Sequence, residues 1–412
     1  MSLREDVLRL DEGFFQDPYA LYDELRETGP VRQVLMPQGV YAWLVTRYAD
    51  ARAALADPRL SKDVAAAGTL MQTNREPGSR RPEFGGELAA HMLNMDPPDH
   101  TRLRKLVNRA FTARGIEPMR ARVQQITDGL LDALAERGEV DLIAEFAFPL
   151  PMTVICELLG VPDADRESFR GWTSTVTSTA PFEQIQAAGM AMAEYLVKLL
   201  AHKRTAPGDD LLTALIETSE DGDRLSEVEL VSMTFLLLLA GHETTVNLIS
   251  NSVLALLRNP EQLAALRADP GLLPGAIEEF LRYEGPINLA TMRYTTEPVD
   301  FDGIEVPANE FVLVSLGAAN RDPERFPEAD RLDVARAPSA HLAFGHGIHY
   351  CVGAPLARME GEIALGSLLR RFPDLALAGD PVELVWREST IVRALDTLPV
   401  RLSATPIDPV EV

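Results

Sequence analysis

Residues 344–353 read FGHGIHYCVG, a loop-like run that contains Cys351 and leads into a helical pattern from Ala354. The run matches the pattern F-x-x-G-x-x-x-C-x-G. With 15 Phe, 27 Gly and 2 Cys in 412 residues, a chance match is expected in roughly 3 of 10,000 such chains. Glycines let a backbone approach a flat ligand closely, and free amides at a helix start are expected to lower the pKa of the Cys351 thiol. The segment therefore predicts a ligand site built around a cysteine thiolate.

One long buried helix is predicted upstream of this loop. Residues 226–229 read SEVE, a capping-box pattern, and no proline follows until Pro260. A helix of about 32 residues, roughly 48 Å long, is therefore expected. Its segment 235–240 reads FLLLLA, which is apolar on every face but too short to cross a bilayer. The next residues, 241–245, read GHETT. Glycine and ionisable groups inside a buried helix are unfavourable, and such local inconsistency often marks a site.

Composition and charge restrict the class of protein. Hydrophobic residues make up 46% and charged residues 25% of the chain, which excludes fibrous and disordered classes. The net charge of −23 disfavours binding to nucleic acid or to an anionic membrane surface. Residues 1–17 contain no apolar run typical of a signal peptide or anchor, and 2 cysteines are too few for a disulfide framework. We expect a cytoplasmic protein that binds neither nucleic acid nor membrane.

The order of helical and strand-like patterns indicates the fold class. No internal repeat, low-complexity tract or long linker divides the chain, so residues 1–412 are expected to form one domain. The patterns predict helices over 18–28, 48–56 and much of 98–283, strands over 31–35, 41–46, 299–304 and 310–315, and a long loop over 60–92. The predicted fold class is mainly α with small β-sheets.

Four motifs together carry a resemblance to a known family. Besides the cysteine loop, the chain contains AGHETT at 240–245, EFLR at 279–282, and a segment over 320–336 that begins NRD. In content and order, these motifs resemble those of the cytochrome P-450 family, haem-thiolate monooxygenases, and of its soluble bacterial members in particular. The resemblance extends over nearly the whole chain and is strongest to actinomycete natural-product hydroxylases.

The resemblance implies a fold, a cofactor and the residues that bind it. The fold would be the triangular, mostly helical cytochrome P-450 fold, and the cofactor haem b, iron protoporphyrin IX. Cys351 would be the axial iron ligand. The same loop would bind the cofactor through Phe344, Gly345 and Gly353. The two haem propionates require cations, and the resemblance assigns to them His100, Arg104, Arg293 and His349.

A charged pair is assigned to the protein core by the same resemblance. Glu279 and Arg282 lie three residues apart on one predicted helical face, a spacing that by itself describes an ordinary surface ion pair. In the family such a pair locks the core on the cysteine side, together with a third arginine. That arginine falls on Arg336.

Two other interpretations of the cysteine loop stay open on local sequence alone. His341, His346, His349 and Cys351 could bind zinc, although no C-x-x-C knuckle accompanies them. Cys351 could also be an inert buried cysteine. Neither interpretation accounts for the other motifs. Cys156, on an apolar helical stretch, is expected to be core packing.

The reaction implied by the resemblance is insertion of one atom of O2 into a C–H or C=C bond, the other atom leaving as water. Protons must reach the distal oxygen, and Glu243 and Thr244 supply an acid and a hydroxyl for such a relay. Local sequence alone allows a second interpretation, with Glu243 at a water-filled edge and Thr244 bonded back to a helix carbonyl. His242 is expected to make a structural hydrogen bond.

The substrate pocket is expected to be mostly aliphatic. The positions that line family pockets correspond here to Leu70, Met71, Phe235, Leu239, Ala240, Ile287, Leu289, Ala290, Thr291, Ile391 and Val392. Such walls favour a large hydrophobic small-molecule substrate. The resemblance favours a macrolide, another polyketide, a terpene or a steroid, with a carrier-protein-bound acyl chain as the alternative.

Electrons are expected from a ferredoxin and a ferredoxin reductase, since the chain shows no flavin or nicotinamide domain. The docking face is expected to be basic, formed by Arg102, Lys105 and Arg109, and by Arg358 if that side chain is exposed. Two alternative functions are a peroxygenase that uses hydrogen peroxide and a non-catalytic haem sensor or ligand carrier. The Glu243-Thr244 pair argues against both.

Overall fold

The computed structural model describes residues 7–78, 87–114, 116–176, 181–218 and 223–402. Helices dominate these ranges. In chain order the α-helices are α1 (Glu12–Gln16), α2 (Tyr19–Thr28), α3 (Tyr48–Ala56), α4 (Val64–Thr73), α5 (Asp99–Arg114), α6 (Arg120–Leu134), α7 (Pro149–Leu159), α8 (Arg166–Val176), α9 (Phe182–Thr205), α10 (Leu211–Glu217), α11 (Glu227–Arg258), α12 (Pro260–Ala268), α13 (Leu273–Glu284), α14 (Leu316–Asn320) and α15 (Ala354–Arg371).

The strands of the described ranges form three small sheets. They are β1 (Leu8–Arg9), β2 (Val31–Leu35), β3 (Tyr41–Val45), β4 (Leu60–Ser61), β5 (Glu139–Asp141), β6 (Arg293–Thr295), β7 (Val299–Phe301), β8 (Ile304–Val306), β9 (Phe311–Val314), β10 (Ala376–Leu377) and β11 (Pro399–Arg401). The strand orders are β1-β2-β3-β9-β6-β4, β10-β11-β5 and β7-β8. In the largest sheet, Val45 of β3 lies opposite Val31 of the antiparallel β2 and Val314 of the parallel β9. The predicted class, mainly α with small β-sheets, is confirmed.

α11 is the long buried helix that the capping box predicted. It has 32 residues, and the Ser226 side chain accepts from the Glu229 amide while the Glu229 carboxylate accepts from the Ser226 amide at 2.8 Å. Most of its apolar residues are buried, because the helix packs against α7, α9, α13 and α15. Burial on several sides explains why residues 235–240 show no polar face.

The segment after β4 is helical, so the prediction of one long loop over residues 60–92 is wrong. Asp63 accepts hydrogen bonds from the amides of Ala65 and Ala66 and thereby starts α4. An N-cap followed by alanines favours a helix. Residues 79–86 of the predicted loop lie outside the described residues.

One large hydrophobic core joins the helices, and two smaller clusters lie around the largest sheet. Cys156 belongs to the large core. It is fully buried, with its Sγ atom 3.8 Å from the Met152 Sδ atom, so the prediction of core packing is confirmed. A search of the described residues finds no helix with the length and hydropathy needed to span a membrane.

Candidate active site

One cavity lies between α11 and the segment that contains Cys351. It holds about 1470 Å³ of space between atoms, its open mouth included. The residues of α11 that line it are Leu236, Leu237, Ala240, Gly241, Thr244 and Thr245. The cysteine segment contributes Phe344, Gly345, His346, His349, Cys351, Val352 and Gly353. The cavity is mostly apolar with a few polar groups, as is typical of sites for small molecules and cofactors.

The backbone of residues 344–353 presents Cys351 at the start of α15. The Cys351 amide donates to the Phe344 carbonyl at 2.9 Å. Gly345 and Gly347 have φ angles of 73° and 74°, a left-handed conformation that favours glycine. A β-carbon on Gly347 would lie 2.9 Å from the Leu55 carbonyl oxygen. The glycines of the motif therefore allow both the turn and its contact with the end of α3.

The Cys351 side chain is exposed to the cavity, while protein surrounds the cavity itself. This separation from bulk water raises the pKa of the thiol. The backbone amides of Gly353 and Ala354 and the positive charge of Arg104 act in the opposite direction. The predicted effect of the helix-start amides is therefore present, but burial outweighs it. A metal ion bound at Sγ would favour the thiolate.

Gly241 and Thr244 lie on the face of α11 that lines the cavity. A β-carbon on Gly241 would lie 2.8 Å from the Ile155 side chain, so the glycine permits close packing of α7 against α11. Thr244 Oγ1 donates to the Ala240 carbonyl at 2.9 Å. The hydroxyl is thus bonded back to its own helix and also borders the cavity.

Glu243 does not line this cavity. Its carboxylate accepts from Arg387 Nη1 at 2.7 Å and lies 3.9 Å from His242 Nε2. The His242 ring lies 2.8 Å from the Leu238 carbonyl through Nδ1, and burial lowers the pKa of the imidazole. The sequence did not indicate Arg387, because this residue lies 144 positions from Glu243 and belongs to no motif.

Basic side chains gather at one edge of the cavity. The four residues assigned to the propionates line it together: His100, Arg104, Arg293 and His349. The rings of His100 and His349 have centroids 4.4 Å apart. Arg293 is 4% exposed, and its Nη1 donates to the Thr291 carbonyl at 3.0 Å. Burial lowers the pKa of Arg293 to about 10 and, together with neighbouring positive charges, that of His349 to about 2.

A further basic residue at this edge, Lys62, was missed from sequence. It is 4% exposed and lines the same cavity. Burial and the charge of Arg293 hold the pKa of its ammonium well below the ordinary value. Its position between a two-residue strand and a short helix gives no local signal that separates it from a surface lysine.

These basic groups fit a ligand that carries carboxylates. His100 is buried, and neither of its ring nitrogens has a hydrogen-bond partner. Buried polar groups without partners and mutually repelling cations are unfavourable unless a ligand satisfies them. The two propionates of haem are such groups, and the Cys351 sulfur supplies the ligand that haem iron requires. The residues present therefore fit haem.

The zinc interpretation has no matching geometry in the described part of the chain, where no three metal-ligating side chains converge. His341 Nε2 lies 3.2 Å from a carboxylate oxygen of Glu278. His349 packs against His100.

Glu279, Arg282 and Arg336 form one buried charged group. Arg282 donates to both carboxylate oxygens of Glu279 at 2.7 Å. Arg336 Nε donates to the same carboxylate at 3.1 Å, and the Asp333 amide does so at 3.0 Å. With side chains 2% and 1% exposed, Glu279 and Arg282 are not the surface pair that their spacing alone would describe.

Some of the predicted substrate-pocket residues line the cavity and others do not. Those that line it are Ala240, Ile287, Ala290, Thr291 and Ile391. The others do not line this cavity: Leu70, Met71, Phe235, Leu239, Leu289 and Val392. Leu93, Ile155 and Leu158 line it and were missed.

Five of these six residues have a structural reason for lying outside the cavity. Leu70 and Met71 pack with the N-terminal sheet cluster instead. Residues 235 and 239 precede the lining positions of α11 by one residue, a rotation of about 100° around the helix. Leu289 is buried in the same N-terminal sheet cluster, and nothing in the structure explains why Val392 does not line the cavity.

The predicted basic docking face is smaller than expected. The Arg102 side chain contacts the Glu229 carboxylate and lies 3.4 Å from that of Asp223, so its charge is balanced. Arg358 donates to both oxygens of Glu278 at 2.6 and 2.8 Å. The charges of Arg102 and Arg358 are thus balanced within the protein, and Arg358 is only partly exposed. Lys105 and Arg109 are exposed on α5.

Comparison with known proteins gives matches along almost the entire chain. The family model described as Cytochrome P450 matches residues 174–384. Cytochrome P450 107B1 of Saccharopolyspora erythraea is 57% identical over 399 residues, which cover 97% of this chain and 98% of that protein. Vitamin D(3) 25-hydroxylase of Pseudonocardia autotrophica is 50% identical over 390 residues, 94% of each chain.

A solved structure agrees with these sequence matches. The tirandamycin C-bound P450 monooxygenase TamI superimposes with a TM-score of 0.89 at 51% identity, covering 96% of this chain and 100% of that one. The likeness therefore extends over nearly the whole fold. Sequence, fold and the chemistry of the cavity therefore agree that the chain belongs to the cytochrome P-450 family of haem-dependent oxidoreductases.

Proposed function

We propose that this protein is a monooxygenase that inserts one atom of O2 into a C–H or C=C bond of a large hydrophobic natural product. One observation carries the proposal. The Cys351 sulfur, the Thr244 hydroxyl and the basic edge all border a single cavity whose remaining walls are mostly apolar. An iron ligand, a proton-handling hydroxyl and a hydrophobic space are thus combined in one place.

Haem held by a cysteine thiolate supplies the electron-rich iron that favours cleavage of the O–O bond. Cys351 would ligate the iron. His100, Arg104, Arg293 and His349 would bind the propionates, because they present hydrogen-bond donors and positive charge to the cavity. Glu279, Arg282 and Arg336 would hold the core beneath the cysteine segment.

Protons would pass between solvent and the cavity through residues of α11. The Thr244 hydroxyl borders the cavity and can give up its bond to the Ala240 carbonyl to donate elsewhere. Glu243 lies one residue earlier, and its ion pair with Arg387 leads toward the surface, since the Arg387 side chain is 26% exposed. We assign Glu243 to exchange of protons with the solvent side and Thr244 to their transfer into the cavity.

The substrate class follows from the cavity lining and the relatives. Leu236, Leu237, Ile287 and Ile391 give an aliphatic surface with few hydrogen-bonding groups. A relative is named for 25-hydroxylation of vitamin D(3), and TamI binds tirandamycin C. A macrolide, another polyketide, a terpene or a steroid is the proposed substrate of this chain.

Electrons are proposed to come from a ferredoxin and a ferredoxin reductase in the cytoplasm. Lys105 and Arg109 lie exposed on α5, the helix that also carries His100 and Arg104 of the cavity edge. This chain has a net charge of −23. A local basic surface close to the haem edge would therefore direct an acidic electron donor to that edge.

The experiment that tests the proposal compares three conditions with one substrate. The substrate is first selected by screening compounds for a spectral shift of the purified ferric protein. Product is then measured with O2 plus ferredoxin, reductase and a reduced nicotinamide dinucleotide, with hydrogen peroxide alone, and with neither. Product only in the first condition supports the monooxygenase. Equal turnover with peroxide alone would indicate a peroxygenase, and binding without product in any condition would indicate a sensor or carrier.

A further inference from the structure

Lys62 is a buried cation to which the proposed function gives no role. It lies between β4 and α4, at 4% exposure, and borders the cavity. Its Nζ atom donates to the Thr291 hydroxyl, and its backbone amide donates to Asp96 Oδ1 at 3.1 Å. Lys62 forms no ion pair with any residue that the structure describes. An ammonium group this deeply buried is unfavourable unless a negative group approaches it.

Lys62 belongs to the basic edge of the cavity. It lines the cavity together with His100, Arg104, Arg293 and His349. Its positive charge lowers the pKa of His100, and the charge of Arg293 acts on Lys62 in the same way. These groups therefore lie close enough to repel one another. Thr291 joins two of them directly, because its hydroxyl accepts from Lys62 and its carbonyl accepts from Arg293 at 3.0 Å.

The side-chain charges at this edge of the cavity sum to +2. Lys62, Arg104 and Arg293 are three cations, and Asp96 is the carboxylate whose negative charge acts on Lys62, Arg293 and His100. Asp96 is itself held by the Ser61 hydroxyl and the Lys62 amide. A ligand with two carboxylates would neutralise the edge.

We propose that Lys62 binds a haem propionate, as a fifth basic residue beside His100, Arg104, Arg293 and His349. The inference rests on the assignment of those four residues to the propionates under the proposed function. With two propionates bound, three cations face three carboxylates. Without Lys62 the same edge would carry an excess of one negative charge, so the lysine is needed for neutrality. The bond to Lys62 would also fix the side chain of Thr291, a residue of the cavity wall.

A carboxylate could also come from a substrate, since Thr291 lines the cavity where a substrate would lie. The two sources are distinguishable, because propionates belong to the cofactor and remain whether or not a substrate is present. A substrate carboxylate would make Lys62 important for ligand affinity only.

The test measures how firmly the holoenzyme holds its haem. Lys62→Met removes the charge and keeps the length of the side chain, Lys62→Arg keeps the charge, and Lys198→Met removes a lysine that is 71% exposed as the matched control. Each holoenzyme is mixed with excess apomyoglobin, and the rate of haem transfer is recorded. A second set of holoenzymes carries the dimethyl ester of haem, in which both propionates are uncharged.

With natural haem, Lys62→Met is expected to lose haem roughly tenfold to a hundredfold faster than wild type, the range for one hydrogen bond to a charged group. Lys62→Arg and Lys198→Met are expected to behave like wild type. With the dimethyl ester, Lys62→Met and wild type are expected to lose haem at equal rates. Lys62→Gln is a second uncharged variant if the methionine protein does not fold.

Three results would overturn the proposal. Equal loss of natural haem from Lys62→Met and wild type would exclude a bond to the propionate. Faster loss that persists unchanged with the dimethyl ester would assign Lys62 a structural role. Unchanged haem loss with weakened binding of tetradecanoic acid, but not of its methyl ester, would place a substrate carboxylate at Lys62. Haem transfer requires no turnover, so absence of product in the three-condition assay would contradict the proposed function and leave this measurement intact.

Discussion

Replacing Arg282 by methionine is expected to remove a large part of the folding free energy. The Arg282 side chain is 1% exposed and donates to both carboxylate oxygens of Glu279 at 2.7 Å. It also donates to the carbonyls of Asn320, Ala329 and Arg331 at 3.0, 2.7 and 3.2 Å. Methionine has a similar length but donates no hydrogen bond, so all of these bonds are lost at once.

The magnitude follows from these contacts. Removing one partner of a buried ion pair costs about 3–5 kcal/mol, and each buried carbonyl left without a donor adds about 1–3 kcal/mol. Glu279 keeps Arg336 at 3.1 Å and the Asp333 amide at 3.0 Å, and the Arg331 carbonyl keeps a bond from Arg336 Nη2 at 3.2 Å. Both offset part of the loss, which brings the total toward the lower end of the sum. We expect the unfolding free energy to fall by about 5 kcal/mol, against about 5–15 kcal/mol for a whole domain.

Urea denaturation of the holoenzyme, followed by circular dichroism and haem absorbance together, measures this loss. Arg336→Met removes a donor that is 16% exposed and is expected to cost about 1–3 kcal/mol. Lys198→Met breaks an ion pair with Glu194 in which both side chains are 71% exposed, and should leave the unfolding free energy unchanged within experimental error. If Arg282→Met unfolded within about 1 kcal/mol of wild type, the buried charged group would not be what holds the core together.

Four other changes test the site. Cys351→Ser should abolish the strongly red-shifted Soret band of the reduced carbon monoxide complex, and an unchanged spectrum would contradict thiolate ligation. Thr244→Ala should keep substrate binding but divert reducing equivalents to hydrogen peroxide; full coupling of electron use to product would assign proton transfer to another group. Lys105→Glu should slow reduction by ferredoxin at low salt, with the difference disappearing at high salt, whereas a salt-independent rate would remove α5 from the docking face. Bonds from Arg358 and His341 lower the pKa of Glu278 to about 2. The stability that the Glu278 carboxylate contributes is therefore present above about pH 4.5 and is lost as the pH falls toward 2. Because Arg358→Gln removes one of these bonds, its unfolding free energy should depend less on pH in that range than that of wild type. An equal slope in that variant and wild type would show that Glu278 is not responsible.

The elements predicted well from sequence are those with strong local signals. The capping box and the all-apolar run that follows it predicted α11, and the predicted start lies within one residue of the observed one. The positive φ angles of Gly345 and Gly347 show why the cysteine loop is recognisable, since few residues other than glycine can adopt that backbone. Where local signals compete, prediction was poorer: the N-cap at Asp63 starts a helix inside a segment whose glycine, proline and polar content indicated a loop.

The sequence by itself determined the fold class, the long helix and the cysteine motif, because capping, periodicity and backbone conformation act between residues close together in the chain. Only the tertiary structure decided which side chains share the cavity. Lys62 joins the basic edge, and Arg387 holds Glu243 away from the cavity wall, although neither belongs to a motif. Phe235 and Leu239 are excluded from the cavity by a rotation of one residue around α11. Charge repulsion, burial and helix rotation depend on distances in space between segments remote in sequence, and no local pattern encodes those distances.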